Sequence, residues 1–253
     1  MKQTILCARD ICKSVSQGDE EIQILKSVNA DIFEGDFTVI MGASGAGKST
    51  LLYALSGMDG ITGGRIEFKG QQINSLSEKK MAKLRAEEFG FVFQQTHLVS
   101  NLTLFENVAV AGDQGFSKST KDVKEKDLNL LRQMHADHAK DRLPSQVSGG
   151  EAQRAAIARA VINDPGLIFA DEPTGALNKS GSEEVMNLLT AINGKGQSIL
   201  MVTHDVRAAI RGNRILYLED GKIMDELKLD SYKKDEAKER ESKVNDWLSA
   251  LHW

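Results

Sequence analysis

No apolar stretch in these 253 residues comes near the roughly 20 that a membrane-crossing helix needs; Leu167 to Ala170 and Ile199 to Val202 are typical of the short runs present. No bilayer span is therefore expected. The beginning, Met1-Lys2-Gln3-Thr4 with Arg9 and Asp10 close behind, has neither the apolar region nor the small-residue cleavage site of a signal peptide, so a cytosolic chain is expected. Cysteine is scarce: Cys7 and Cys12 match neither a disulfide framework nor a zinc site and read as reduced structural thiols. No sign of charge dominates. The 32 basic and 36 acidic residues leave a net charge of -4, which removes any global electrostatic reason to expect a nucleic acid or an anionic lipid surface as main partner. Aromatic residues are absent before Phe33, and there is no internal repeat or low-complexity tract.

What is present suits one globular unit, or one core with an inserted subdomain, since 41% of residues are hydrophobic and 27% charged. The first 75 residues carry short β-like runs, Ile22 to Leu25, Phe37 to Met41 and Ile66 to Phe68 before Gly70, which predict a strand-rich N-terminal layer. From Glu78 to Glu87 and from Lys121 to Met134 the pattern turns helical, the second segment with a stripe of Val123, Leu128, Leu130 and Leu131, and this middle section reads as a helical insertion. Beyond Pro165, Leu167 to Ala170 and Ile199 to Val202 suit strands buried on both faces of a parallel sheet. The helical spacing of Val185, Leu188, Leu189 and Ile192 between them completes a βαβ unit. Arg214 to Glu219, Asp220-Gly221 and Ile223-Met224 predict a hairpin turned by Asp-Gly. The charged tail from Lys228 ends in Val244, Trp247, Leu248 and Leu251, one face of a terminal helix that packs on its own domain or docks a partner, the former preferred. His135 and His138, three apart, would share a helical face for a metal, but no further ligand clusters with them and a solvated helix end is the favoured reading.

The chemistry begins at Gly42-Ala43-Ser44-Gly45-Ala46-Gly47-Lys48-Ser49-Thr50, which fits G-x-x-x-x-G-K-[ST] after an apolar run and before a helix carrying Leu51, Leu52 and Leu55. Glycines let backbone N–H groups point inward around a β-phosphate at the positive end of a helix. Lys48 adds a point charge for the β/γ-phosphates, and the Ser49 hydroxyl stands where Mg²⁺ would bridge them. A second element is Leu167-Ile168-Phe169-Ala170-Asp171-Glu172, an apolar strand that ends in two carboxylates at the edge where parallel sheets bind ligands. Asp171 suits the Mg²⁺ hydration shell, and Glu172 the water that attacks a γ-phosphate; such neighbours repel and both ionise readily only with a cation present. A further strand ends in Thr203-His204-Asp205, where the imidazole of His204 can donate to the γ-phosphate. The third element, Val147-Ser148-Gly149-Gly150-Glu151-Ala152-Gln153-Arg154, opens a helix with Ser148 as cap and makes another anion-binding helix start. Two phosphate-facing surfaces and one lysine-bearing cradle per chain imply a head-to-tail homodimer.

With the phosphate loop, Ser148 to Gln153, Asp171-Glu172 and His204 in this order and spacing, the chain resembles the ATP-binding subunits of ABC transporters from about residue 3 to residue 227. The resemblance implies an α/β P-loop NTPase fold with a RecA-like core, an N-terminal antiparallel β subdomain and an inserted helical subdomain at 95–163, the whole spanning 1–227. The tail, 228–253, is expected to be helical. It implies ATP and Mg²⁺ as cofactors, ATP hydrolysis, and Gln94 in Gly90-Phe91-Val92-Phe93-Gln94 as a Mg²⁺-touching residue that couples to an integral-membrane permease. The chain would then sit peripherally on the inner face of the cell membrane.

Gly90 to Gln94, Asn101-Leu102-Thr103 with Glu106-Asn107-Val108, and Glu172-Pro173-Thr174-Gly175 resemble the macrolide-exporter and lipoprotein-release group. Gly175-Ala176-Leu177-Asn178 is more similar to the bacitracin-resistance subgroup, which works with a large permease of the cell-division FtsX kind, and this implies antimicrobial peptide resistance or export. A regulator that signals to a membrane partner without transport, like the cell-division pair, shares the same residues. A soluble ABC ATPase of translation or DNA repair is disfavoured by the single nucleotide domain and by the lack of a long coiled coil, zinc cysteines or a basic arm. Two positions depart from the family pattern. Val15 stands where an aromatic residue usually lies near the adenine, and Asn178 replaces an aspartate, keeping hydrogen bonding but not charge.

Overall fold

A computed structural model describes residues 2–18, 20–113 and 120–253. In chain order the elements are β1 (Thr4–Gln17), β2 (Glu20–Phe33), β3 (Phe37–Met41), α1 (Lys48–Leu55), β4 (Gly63–Phe68), β5 (Gln71–Gln72), α2 (Glu78–Glu88), β6 (Phe89–Phe93) and α3 (Leu104–Asp113). They continue with α4 (Thr120–Gln133), α5 (Gly149–Val161), β7 (Leu167–Asp171), α6 (Lys179–Asn193), β8 (Ser198–Val202), α7 (Val206–Ala209), β9 (Arg214–Glu219), β10 (Lys222–Lys228) and α8 (Ala237–Ala250). The chain divides into two compact units, one of Met1–Met81 with Ile192–Trp253 and one of Ala82–Ala191.

In the first unit, β2, β1, β4 and β5 form an antiparallel sheet in that order. Strands β1 and β2 run 14 residues each, far longer than the apolar run at Ile22 to Leu25 suggests. The reason is irregular pairing. The register slips between Ala8 and Ile11, Ile11 and Lys13, and Lys13 and Ser14, and Asp10 takes a left-handed backbone (φ 53°), so no clean period of two survives in the sequence. The same unit holds β3 between β8 and β9, parallel to both. Every residue of β3 and β8 is buried, which explains their unbroken apolar character. The β9–β10 hairpin turns on Asp220 (φ 44°) and Gly221 (φ 75°), the positive pair that a type I′ turn demands.

Helix α8 packs on its own unit. Val244 and Leu248 are buried, and Trp247 sets its ring edge-on to Tyr217 at 6.3 Å while Nε1 donates to Asp225 Oδ2 at 2.8 Å. The tie that fixes it is Arg240, only 6% exposed. Its guanidinium donates to the carbonyls of Ile210 (2.8 Å), Gly212 (2.7 Å) and Asp230 (2.7 Å), beside the Tyr232 ring.

In the second unit, β6 pairs with β7 in parallel, from Phe89 opposite Leu167 to Phe93 opposite Asp171. Phe169 of β7 meets Phe89 edge-on (5.0 Å) and stacks on Phe91 (5.6 Å), an arrangement that fixes the two strands by ring geometry as well as by hydrogen bonds. Helices α3, α4 and α5 pack together around Val108, Leu131, Ile157 and Ala158. The side chain of Val123, part of the stripe read for α4, lies outside the described residues. His135 and His138 do not share a helical face, because α4 stops at Gln133 and His135 turns left-handed (φ 53°). His138 instead sits in a short 3-10 turn, Asp137–Ala139, and meets Glu151 Oε1 at 2.6 Å.

Replacing Arg240 by Ala strips a charged donor from three carbonyls at once. The unfolding free energy from urea titration is expected to fall by about 3 kcal/mol. A loss under about 0.5 kcal/mol, the size of an ordinary surface substitution, would contradict this account.

Candidate functional site

The first unit contributes the loop Gly42–Gly47. A Cβ on Gly42 would collide with the carbonyl oxygen of Leu218 in β9, so only glycine lets the chain leave β3 here. Ala43, Ser44 and Gly45 form an exposed arch, with Gly45 at φ 83°, while Ala46, Gly47 and Lys48 turn inward. Gly47 caps α1 in a left-handed conformation (φ 98°) with no side-chain hydrogen bond to the first-turn amides. A helix start without a capping side chain next to an open glycine arch suits a phosphate, which brings its own acceptors to those donors. The buried Lys48 Nζ donates to the carbonyls of Gly42 (2.8 Å) and Ala43 (2.9 Å), spanning the arch from within. Ser49 and Thr50 follow in the first turn of α1.

His204 emerges at the same sheet edge. Strand β8 lies beside β3 with Val202 opposite Ile40, so His204 and Gly42 each stand two residues beyond a paired position. The exposed His204 is held between ordered neighbours: Thr203 donates its N–H to Ile40 O (3.1 Å), and Asp205 caps α7 by accepting from Arg207 N (2.9 Å).

The second unit repeats this arrangement with other residues. Phe93 pairs with Asp171, so Gln94 and Glu172 leave adjacent parallel strands side by side. Asp171 is buried, and Glu172 has a left-handed backbone (φ 44°), an uncommon state for a non-glycine residue that turns the chain sharply into Pro173. The Gly175 N–H donates to Glu172 O (2.9 Å) and closes that turn. A Cβ on Gly175 would lie 3.0 Å from Gln94 Nε2 and 3.1 Å from its Cδ, so the bare glycine face is what the Gln94 carboxamide rests on.

Ser148 begins α5 with a capping box. Its Oγ accepts from Glu151 N (3.3 Å), while Glu151 Oε2 accepts from Ser148 N (2.8 Å) and Oγ (2.7 Å). Those bonds from Ser148, with the contact to His138 added, hold the Glu151 carboxyl down to about 2. Gly149, Gly150 and Glu151 line a cavity of about 400 Å³ with Asn178, Ser180 and Gly181, where the starts of α5 and α6 come together. Asn178 caps α6, its Oδ1 accepting from Gly181 N at 2.9 Å, a bond that an amide makes as well as a carboxylate.

Sequence reasoning assigned no role to Gln153 or Arg159. Gln153, 1% exposed, donates Nε2 to Phe93 O (2.8 Å), and Arg159 donates to Thr96 O and His97 O (2.7 Å each), so α5 grips both sides of Gln94. The available signal was a glutamine four residues before Ile157, on the apolar face of a helix, where a polar group survives only with a partner. Among the described residues no group of three or more His, Cys, Asp and Glu forms a ready-made metal site. An Mg²⁺ held here would need nucleotide oxygens to complete its shell, as its preference for one or two carboxylates plus phosphate allows.

Residues 25–175 match the ABC transporter family. The chain is 38% identical over 254 residues to the macrolide export ATP-binding/permease protein MacB of Pasteurella multocida, covering all of this chain and 38% of that protein. It is 39% identical over 221 residues to the MacB of Escherichia coli K12, covering 87% of this chain and 34% of that protein. It thus spans less than two fifths of the curated relatives it matches. Among solved structures, the dimeric ATP-binding cassette MJ0796 in a post-hydrolysis state with ADP and Pi superposes with a TM-score of 0.84 at 37% identity, over 90% of this chain and 100% of that one. CbiO1 of Clostridium perfringens, part of the ABC transporter complex cbiONQ, does so at 0.79 and 27%, over 99% and 98%. These likenesses establish the α/β P-loop nucleotide-binding fold.

A pH dependence follows from Glu151. Its folded-state pKa lies below the ordinary 4.5, so the stability it contributes is fully present above pH 4.5 and is lost as pH falls through about 2. The gap in urea midpoint between the native chain and Glu151→Gln should be widest above pH 4.5 and narrow steadily on acidification. A gap independent of pH would contradict the assignment.

Proposed function

The chain belongs to the ABC transporter family, an ATP-hydrolysing cassette that uses ATP and Mg²⁺, and from that premise we propose that it is the motor of a membrane transport system, working as a homodimer on a partner permease. The observation that carries the reading is the arch Gly42–Gly47 over a helix start that no side chain caps, with His204 at the same sheet edge. We assign triphosphate binding to Gly42 through Thr50. Mg²⁺, when bound, would supply charge neutralisation to the phosphates, and we assign to it Ser49 of the first unit and, of the second, Gln94 and Asp171. The Lys48 ammonium exchanges its carbonyl partners for phosphate oxygens. Glu172 orients the attacking water and accepts its proton, fixed for that role by the left-handed turn and the Gly175 bond. His204 donates to the γ-phosphate. Ser148 to Glu151 meet the nucleotide held by the other copy, which makes the two chains mutually dependent.

Permease coupling is supported by a groove of about 420 Å³ in the second unit, lined by Phe91, Phe93, Leu102 and the half-exposed Val99 and Val110, next to the Gln94 turn. Asn107 shapes one wall, its carboxamide bonding Val99 N (2.7 Å) and the carbonyls of Val99, Leu102 and Thr103. An apolar groove of this size suits a short helix from a membrane protein, and the curated relatives carry ATP-binding and permease functions in one name. We place the chain at the inner face of the membrane through that partner, with 95–163 as the helical subdomain, within a nucleotide-binding domain over 1–227 followed by the tail 228–253. An FtsX-like permease and an antimicrobial peptide or lipid-like cargo are the finer reading. It is supported by the segment Gly175–Asn178 and compatible with macrolide-exporting relatives.

Two experiments test the proposal. Glu172→Gln is expected to bind ATP with native affinity, to lose turnover by about a thousandfold, and to elute as a dimer with ATP; near-normal hydrolysis would remove Glu172 as the base. Affinity capture from detergent-extracted membranes is expected to recover an integral-membrane protein, and Val99→Asp with Val110→Asp to lose it. Recovery of ribosomes or DNA in its place would overturn the transport reading.

A further inference from the structure

In the second unit, the two oxygens of the Glu151 carboxylate go to different partners. Oε2 accepts from Ser148 N (2.8 Å) and Oγ (2.7 Å), whereas Oε1 faces His138 Nε2 at 2.6 Å. The bonds from Ser148, and after them the one from His138, hold this carboxyl down to about 2, so near neutral pH it is ionised and can only accept. Nε2 therefore carries the hydrogen. Nδ1 makes no hydrogen bond with another described residue, and with the side chain 59% exposed it is open to a second proton from solvent.

The other charges around this pair are engaged elsewhere. Asp137 precedes His138 on the same short turn, and Lys140 beyond it pairs with Asp141. On α4, Arg132 donates to Asn129 Oδ1 (3.0 Å), and at the start of α3 Glu106 accepts from Thr103 N (2.8 Å) and Oγ1 (2.9 Å). Arg154 of α5 pairs with Glu184 of α6 (2.6 Å). His135 and Arg142, both exposed, make no hydrogen bond to His138 or Glu151.

Ser148 has one hydroxyl proton, and Glu151 holds it. To donate to an arriving phosphate the hydroxyl has to leave Oε2, and the phosphate has to approach a carboxylate of its own sign. A protonated His138 lowers both obstacles, since it weakens Oε2 as an acceptor and offsets the carboxylate charge. A neutral ring keeps the hydrogen bond without the charge.

We propose that His138 is a positioning residue of the nucleotide-driven dimer, its protonation releasing the Ser148 hydroxyl to phosphates held by the other copy, so that the two copies close more tightly on acidification. This rests on the reading that Ser148 to Glu151 meet the nucleotide bound by the other copy.

Sedimentation of the Glu172→Gln chain with ATP and Mg²⁺ at graded protein concentrations, between about pH 8 and about pH 5.5, measures the dimer dissociation constant across the imidazole range. An exposed pair shifts an equilibrium by up to about fivefold and a symmetric dimer uses it twice, so the constant is expected to fall about tenfold over that range. Adding His138→Gln, a neutral donor, should remove that fall. Adding His138→Lys, charged throughout, should hold the constant near its low-pH value at every pH. Titration of His204 and of ATP itself is common to all three chains and cancels in the comparison. One shared pH profile for the three would overturn the inference and leave the dimer reading standing. Equal weakening by both substitutions at every pH would also overturn it, because that marks a purely structural contact. Absence of an ATP-dependent dimer in all three would sink the dimer reading and this inference together.

Discussion

The first unit is organised around the carbonyl oxygen of Ile24. A Cβ on Gly221 would overlap that oxygen, and one on Gly47 would crowd it, so three separate segments converge where only glycine backbone fits. Lys26 N bonds Gly221 O (2.9 Å) and Gly221 N bonds Ala46 O (3.1 Å), stitching hairpin, turn and glycine arch together. Arch geometry is thus set by main-chain approach from two sides, the Leu218 carbonyl beneath Gly42 and the Ile24 carbonyl beside Gly47. A loop shaped in this way has little conformational freedom left to lose when a ligand arrives.

Helix α5 has the corresponding role in the second unit. Through Gln153 and Arg159 it holds the chain on both sides of Gln94, and through Ser148 and Glu151 it shapes its own start. The segment from Ser148 and the Gln94 turn are therefore both tied to the same helix. The bonds at Arg159 and Glu151 are charge-assisted and short, and such bonds deform less readily than apolar contacts slide.

Legibility in the sequence followed physical locality. β3, β8 and the β9–β10 turn were readable because continuous burial and an Asp-Gly pair each leave a local mark. The motifs to which the chemistry is assigned stand out for the same reason, since a phosphate loop and a pair of carboxylates at a strand end are runs of residues adjacent in sequence. β1 was missed and β2 underestimated in length because repeated register slips erase the alternation that identifies strands. The favoured reading of His135 as a solvated helix end agrees with its exposure just past Gln133, and the left-handed turn there is why the spacing of three does not bring it together with His138 on one helical face. The support of Gln94 was legible only in part: Gln153 on the apolar face of α5 signals that it needs a partner, but which partner, and the rest of Gln94 on Gly175, are decided only once the strands and α5 have packed.

The fork of Arg240 shows an asymmetry in how this chain tolerates change. Its three acceptors are main-chain carbonyls, which every amino acid supplies, so Ile210 and Asp230 can drift in identity without removing the acceptors. The tie instead concentrates its whole vulnerability in one codon. Attachment of the terminal helix is thereby robust to variation in what it docks against and brittle to variation in itself, the reverse of a side-chain salt bridge, in which either partner can break the bond.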